Sequence, residues 1–153
     1  MLSKREWEKY IDKNKFHSDC QLVSAVNAYY YLTGITIDDN KYEKFIDLCG
    51  CRHGSAIYIE KIYRALDMEI KWEGSFHLYS INDNISLPIE ISVWHKGTGF
   101  HSALIIDYEP KVEAYRIVNF KQITTTKGWF FGEDLYQFIT KVNGNSCKLI
   151  GLK

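Results

Sequence analysis

Cys20 precedes the apolar run Gln21-Leu22-Val23-Ser24-Ala25-Val26, which reads as a helix and sets its thiol at a helix start. Unpaired backbone N–H groups and the helix dipole favour an anion there, and a thiolate is one. Such settings lower a thiol pKa from ~8.5 toward the reactive range. A cysteine in this place is equally a small buried hydrophobe, and Cys20 alone does not decide between the two. His101 shifts the balance toward chemistry. It opens the apolar strand His101-Ser102-Ala103-Leu104-Ile105-Ile106 directly after the turn Lys96-Gly97-Thr98-Gly99. Its imidazole is therefore expected at a sheet edge, where a cleft can form.

A turn centred on Pro110 makes a hairpin in which facing positions total 220, and this sets Asn119 opposite His101. Directly opposed residues have Cβ atoms ~4.5–5.5 Å apart, so an Asn side chain there can orient an imidazole. A register slip of one residue sends the two to opposite faces. A nucleophile at a helix start, a base on a strand and an amide on the neighbouring strand follow the logic of a Cys-His-Asn triad. Cys20 precedes His101 by 81 residues and His101 precedes Asn119 by 18, which is also the papain-like order.

The elements that must position these groups fall into two blocks. Ser3 followed by Glu6 is a capping-box pattern that starts a short helix to about Asp12. Residues 20–33 place Leu22, Val23, Val26, Tyr29 and Tyr30 at helical spacing and end at Gly34, a natural residue just past a helix. Asp38 or Asp39 can cap a third helix to about Cys49. Ser55 can cap a fourth to about Asp67, with Ile59, Ile62, Tyr63 and Leu66 as its stripe. From about Met68 the texture changes to β-rich runs at 68–72, 87–95, 100–108, 112–120 and 146–152, with one late helix at 133–142. Helices first and then an antiparallel sheet is an α+β arrangement, with a helical part of about 3–67 and a sheet part of about 68–153.

The chain has 153 residues, the size of one domain, and no linker or internal repeat divides it. A hydrophobic fraction of 46% with 25% charged residues fits a globular domain rather than a disordered one. Nineteen basic residues balance nineteen acidic ones, so the electrostatic footprint of a nucleic-acid binder is missing. The start Met1-Leu2-Ser3-Lys4-Arg5-Glu6-Trp7 has no apolar h-region and no stretch approaches ~18 apolar residues. The chain therefore reads as cytoplasmic, without membrane association, and its four cysteines as reduced thiols.

At the level of motifs the chain resembles the papain-like cysteine peptidases, specifically the branch that processes double-glycine leader peptides. The resemblance rests on Asn14-Lys15-Phe16-His17-Ser18-Asp19-Cys20, on the helix ending Tyr29-Tyr30-Tyr31-Leu32-Thr33-Gly34, on Gly54-Ser55, and on Gly99-Phe100-His101-Ser102-Ala103-Leu104. It spans roughly residues 14–135 in short segments. It implies a papain-like fold and a peptide or protein substrate. Cys20 is then the nucleophile, His101 its ion-pair partner and proton donor to the leaving group, and Asn119 the residue that fixes the tautomer. The resemblance also assigns the oxyanion to the Cys20 backbone N–H and the Asn14 side chain. Three positions depart from that branch: Asn14 stands in place of Gln, Gln21 in place of Gly, and Asn119 in place of Asp. Gln21 is a second candidate donor.

Other features carry less. Cys49-Gly50-Cys51-Arg52-His53 crowds three possible zinc ligands into five residues, but no second pair has the spacing of a structural site, so neither metal nor cofactor is expected. Tyr29-Tyr30-Tyr31 reads as core rather than as a base-stacking surface, and Trp129 as a possible shield for the histidine. Two functions follow from these residues: a thiol-dependent amide hydrolase or acyl-transfer enzyme, or a catalytically silent domain of the same fold that binds a peptide in its cleft.

Overall fold

A computed structural model describes residues 7–16, 18–75, 86–95, 99–120, 128–132, 134–135 and 139–153. Three helices, α1 (Cys20–Thr33), α2 (Asp39–Cys49) and α3 (Ile59–Ala65), precede the strands β1 (Met68–Ser75), β2 (Ile89–His95), β3 (Gly99–Glu109), β4 (Ala114–Val118), β5 (Trp129–Phe131) and β6 (Ile139–Leu152). The strands form one antiparallel sheet in the order β1-β6-β2-β3-β4-β5. The fold class is therefore α+β, with the helices on one face of the sheet.

Helix α1 is the central element. Every residue from Leu22 to Ala28 is buried, because the helix lies between the sheet and the other two helices. Gly34 ends it in the left-handed region at φ 74°, where a side chain is strained, and its N–H returns to the Tyr30 carbonyl. Helix α2 starts as its sequence predicts: the Asp38 carboxyl accepts the Lys41 N–H at 2.7 Å. Helix α3 begins at Ile59 rather than Ser55. The Ile57 and Tyr58 N–H groups both bond the Cys49 carbonyl, which folds residues 50–58 back onto the end of α2 and uses Ser55 elsewhere.

Strand alternation sorts two cores. Ile89, Ile91 and Val93 of β2 join Ala103 and Ile105 of β3 and Tyr115 and Ile117 of β4 on the face away from the helices, where Phe120, Phe130 and Leu135 close over them. Leu104, Ile106, Val118 and Ile150 face the helices. Between these apolar rows the helix-side face carries Glu90, Ser92 and Ser102, the polar half of an alternation visible in Ile89-Glu90-Ile91-Ser92-Val93. Arg116 of β4 is also buried, its guanidinium held 4.7 Å from the Trp7 ring and 5.7 Å from that of Trp129.

Two elements differ from the sequence expectation. The late helix at 133–142 is corrected at its end: residues 139–142 belong to β6, where Ile139 pairs with His95 and Lys141 with Trp94. Ladder pairing overrides the helical spacing of Leu135, Phe138 and Ile139. Residues 133 and 136–138 lie outside the described set. The early helix is helical only at Trp7 among described residues; its capping residues Ser3 and Glu6 lie outside that set, and Tyr10 closes a turn on the Trp7 carbonyl. Strand β5 was not expected, since three residues are too short to show a period.

One buried group organises the approach to α1. Asp19, fully buried, accepts the Lys15 and Phe16 N–H groups at 3.1 Å each and the Tyr42 hydroxyl at 2.5 Å. Burial first, and then the Asp19 carboxyl, push the Tyr42 hydroxyl well above its ordinary pKa and keep it a donor. Tyr42→Phe leaves part of a buried acceptor unsatisfied and is expected to lower unfolding free energy by ~1–3 kcal/mol. Urea denaturation at neutral pH checks this; a midpoint equal to that of the unaltered protein would show that Lys15 and Phe16 suffice.

Candidate active site

Asp19 is the N-cap residue of α1 by position but not by side chain, since its carboxyl is committed to Lys15, Phe16 and Tyr42. Cys20 is therefore the first side chain at a helix start whose leading N–H groups have no carbonyl partner within the helix. It lines a cavity of ≈ 360 Å³ together with His101, Gln21, Ser55, Ser102 and Phe100. Of the four residues singled out from sequence, Cys20 and His101 share this cavity. Asn14 and Asn119 do not line it.

The Ser102 backbone N–H and hydroxyl and the Gln21 N–H pull the Cys20 thiol pKa down. Burial outweighs these donors and, with the nearby Glu90, pushes the Cys20 thiol above its ordinary 9.0. The same burial pushes His101 below its ordinary 6.5, against the pull of the Asn119 carbonyl. Both shifts run toward the uncharged forms, thiol and imidazole.

Asn119 acts differently from the expectation. Strand pairing runs Leu104 to Val118 and Ile105 to Ile117, so facing positions total 222, and after a bulge between Ile105 and Asp107 they total 223. The cause lies in the turn. Proline suits the first central position of a turn, not its midpoint, so the loop continues from Pro110 to Glu113, where φ reaches 48°. Asn119 thus lies past the end of β4, in the left-handed region at φ 62°. That conformation aims its carbonyl at His101 Nε2, 2.6 Å away, and its N–H at the Asp12 carboxyl, 2.8 Å away. Its side-chain amide donates to Asn14 Oδ1 at 2.7 Å.

The orienting group is accordingly a backbone carbonyl, and the side-chain role assigned to Asn119 is corrected. A carbonyl only accepts, so Nε2 carries the proton of the neutral ring and Nδ1 is the basic nitrogen. Asn14 is held by its oxygen, which leaves its NH₂ as the end able to donate. Phe120, 6.4 Å from the imidazole centroid, packs beside the ring. Trp129 does not shield it; that residue pairs with Arg116 and lines a separate groove with Asp107 and Phe131.

Sequence reasoning missed Ser102, Ser92, Asp12 and Lys148. Ser92 Oγ lies 2.9 Å from Ser102 Oγ, and Ser146 pairs with Ser92 on the next strand, so a row of hydroxyls crosses the cavity floor. Their signal is the polar half of the alternation in β2 and the polar run Asn143-Gly144-Asn145-Ser146 in an otherwise β-rich end. Elsewhere, Cys49 and Cys51 are buried free thiols with sulfurs 3.6 Å apart, and Arg52 pairs with Asp47 and Glu43. Among the described residues no three His, Cys, Asp or Glu side chains gather as metal ligands, and no helix is long and apolar enough to cross a membrane. His17 and His77 lie outside the described residues. Compared with known proteins, the sequence matches no family model, and no curated protein matches it.

Two outcomes follow from this geometry. The left-handed conformation costs an ordinary L-residue ~1–2 kcal/mol that Asn and Gly partly escape. Asn119→Ala is therefore expected to lower the melting temperature more than Asn119→Gly, which keeps the carbonyl on His101; the reverse order in thermal denaturation would refute it. Separately, the raised thiol pKa makes thiolate scarce at neutral pH. Cys20 alkylation by iodoacetamide, read by peptide mass, should keep accelerating beyond pH 9.0. A plateau near neutrality would mean an ion pair at rest.

Proposed function

We propose that the chain is a papain-like thiol hydrolase or acyl-transfer enzyme acting on an amide or peptide bond. The observation that carries this is the shared cavity of Cys20, at the start of the buried helix α1, and His101, whose Nε2 is fixed on the Asn119 carbonyl. Tying down Nε2 makes Nδ1 the general base, the same division of labour between ring nitrogens that a triad requires.

In the proposed reaction a substrate carbonyl enters the cavity and the Cys20 proton passes to His101 Nδ1. The sulfur then bonds to the carbonyl carbon, and the carbonyl π electrons move to oxygen. Collapse of that tetrahedral species breaks the C–N bond, and the proton on His101 goes to the departing nitrogen. Water, deprotonated by the same imidazole, cleaves the resulting thioester and restores the thiol. The oxyanion is held by the Cys20 N–H, with the Gln21 side chain in the cavity or the Asn14 NH₂ as second donor. The neutral resting pair fits a mechanism in which the proton moves with substrate bound rather than before.

The neutral pair also favours a second reading, a silent domain that binds peptides in the same cavity. The two separate in one experiment. p-Nitrophenyl acetate should release a burst of p-nitrophenol while acetylating Cys20, with the burst abolished in Cys20→Ala and slowed ~10²–10⁴-fold in His101→Ala, the usual worth of a general base. Equal acetylation of all four thiols, or a burst that survives Cys20→Ala, would leave only the binding reading. Asn14→Ala and Gln21→Ala, each measured for kcat, identify the second oxyanion donor by the larger fall.

A further inference from the structure

Among the described residues lining the Cys20 cavity, Lys148 is the only cation apart from the titratable His101 itself. It lies on β6, two positions from Ser146, whose neighbours across the sheet are Ser92 and then Ser102. Strands lie ~4.8 Å apart and residues rise ~3.3 Å, which sets the Lys148 backbone ~12 Å from Ser102, a span of which a four-carbon side chain extended over the floor covers about half. The lysine is therefore about one to two residues of extended substrate away from the thiol. Its charge is not among the influences on Cys20, whereas that of Glu90 is, which fits a position remote from the sulfur.

The ammonium has two acidic neighbours by register, Glu73 on β1 and Glu90 on β2. Among the described residues it makes an ion pair with neither. Glu73 is exposed, and Glu90 is fully buried with the Tyr63 hydroxyl donating to it at 3.1 Å. Burial pushes the Glu90 carboxyl above its ordinary range, against the pull of the Lys148 charge. Hydroxyls of Ser92, Ser102, Ser146, Ser18 and Ser55 make up most of the remaining lining, with Gln21, Ala56 and Phe100. Hydroxyls and one ammonium make a poor seat for an apolar side chain and a good one for a carboxylate, which accepts from both.

We propose that this serine-floored pocket with Lys148 at its far end recognises a carboxylate on the substrate, one to two residues from the bond that Cys20 attacks. The proposal rests on the thiol-enzyme reading for the identity of the attacked bond, but the recognition itself is a property of the pocket. It places Lys148 as a specificity-determining residue and acidic peptides as the preferred substrate class.

The test uses two chloromethyl ketones, acetyl-Glu-Gly and acetyl-Gln-Gly, which have nearly the same shape and the same warhead. Labelling of Cys20 is followed by intact mass at neutral pH. One charge-assisted hydrogen bond should make the Glu probe about tenfold faster than the Gln probe. The ratio should fall to about one in Lys148→Met, persist in Lys148→Arg and invert in Lys148→Glu. A third probe, with glycine in place of Glu and a free carboxylate at its acyl end, distinguishes an acidic side chain from a terminal carboxylate as the recognised group. Equal rates for the Glu and Gln probes on the unaltered protein overturn the proposal without any variant, and so does a preference that survives Lys148→Met. Warhead-free acetyl-Glu-Gly-amide and its Gln counterpart, titrated into Cys20→Ala by NMR, separate the two readings. A Glu preference there with no labelling of Cys20 in the unaltered protein means that the pocket stands and the enzyme falls; labelling without preference means the converse.

Discussion

The candidate site depends on where the Asp19 carboxyl points. A residue at the start of a helix ordinarily turns its side chain back to the exposed N–H groups of the first turn. Here those N–H groups are left to Cys20 and its surroundings, because the carboxyl is drawn the other way by Lys15, Phe16 and the Tyr42 hydroxyl. The consequence runs in both directions along the chain. Toward the N-terminus, residues 14–16 are wrapped around a buried acceptor, which brings Asn14 beside Asn119. Toward the C-terminus, a helix buried from Leu22 to Ala28 begins with a thiol rather than a cap. Asn27 of that helix reinforces the wrap by exchanging two hydrogen bonds of 2.9 Å with the Ile11 backbone. One carboxyl thus sets the entrance angle of the chain and reserves the helix terminus.

The second anchor is the left-handed turn at Asn119. Three groups of one residue hold three partners: its carbonyl takes His101, its N–H the Asp12 carboxyl and its side chain Asn14. Residues 12–14 and the end of β4 are thereby joined across a sequence gap of more than a hundred positions, and the imidazole is fastened to the junction. The carbonyl supplies what a carboxylate or amide side chain supplies in a triad, a fixed tautomer. It lacks a carboxylate's charge, and its pull on the proton does not offset the burial that lowers the His101 pKa.

Much of this was legible in the residues. The helix from Cys20 to Thr33 is continuous and strongly apolar, so its start and its Gly34 end are read correctly, as is the α2 cap at Asp38. The two-block order of helices and strands needs only the change of period near Met68. Register was harder. It depends on how many residues Pro110–Glu113 uses and on one bulge after Ile105, and both are settled by backbone geometry that composition does not encode. The register expected at Asn119 failed for that reason, and the residue holds the imidazole through its backbone carbonyl rather than its side chain. The end of β6 failed for another: Ile139 has helical spacing with Leu135, and only its pairing with β2 makes it a strand. Lys148 and the serines carry no motif at all, and they become visible only when β6, β2 and β3 lie side by side.

The half-buried thiol and the half-buried imidazole both favour their uncharged forms. Desolvation opposes charge on each, and creating the pair has to overcome both penalties at once. Glu90 adds to the cost on the Cys20 side whenever it is ionised, yet its own burial pushes its carboxyl up, against the pull of Lys148 and of the bond from Tyr63. The helix terminus, the Ser102 donors and the Gln21 N–H all face the sulfur and lower that cost without removing it. A substrate carbonyl changes the balance, because the negative charge then leaves the sulfur for an oxygen that the Cys20 N–H can hold. In the proposed reaction the preorganised donors are therefore better matched to the tetrahedral species than to the resting thiolate, which is the condition for catalysis rather than for tight binding of the ground state.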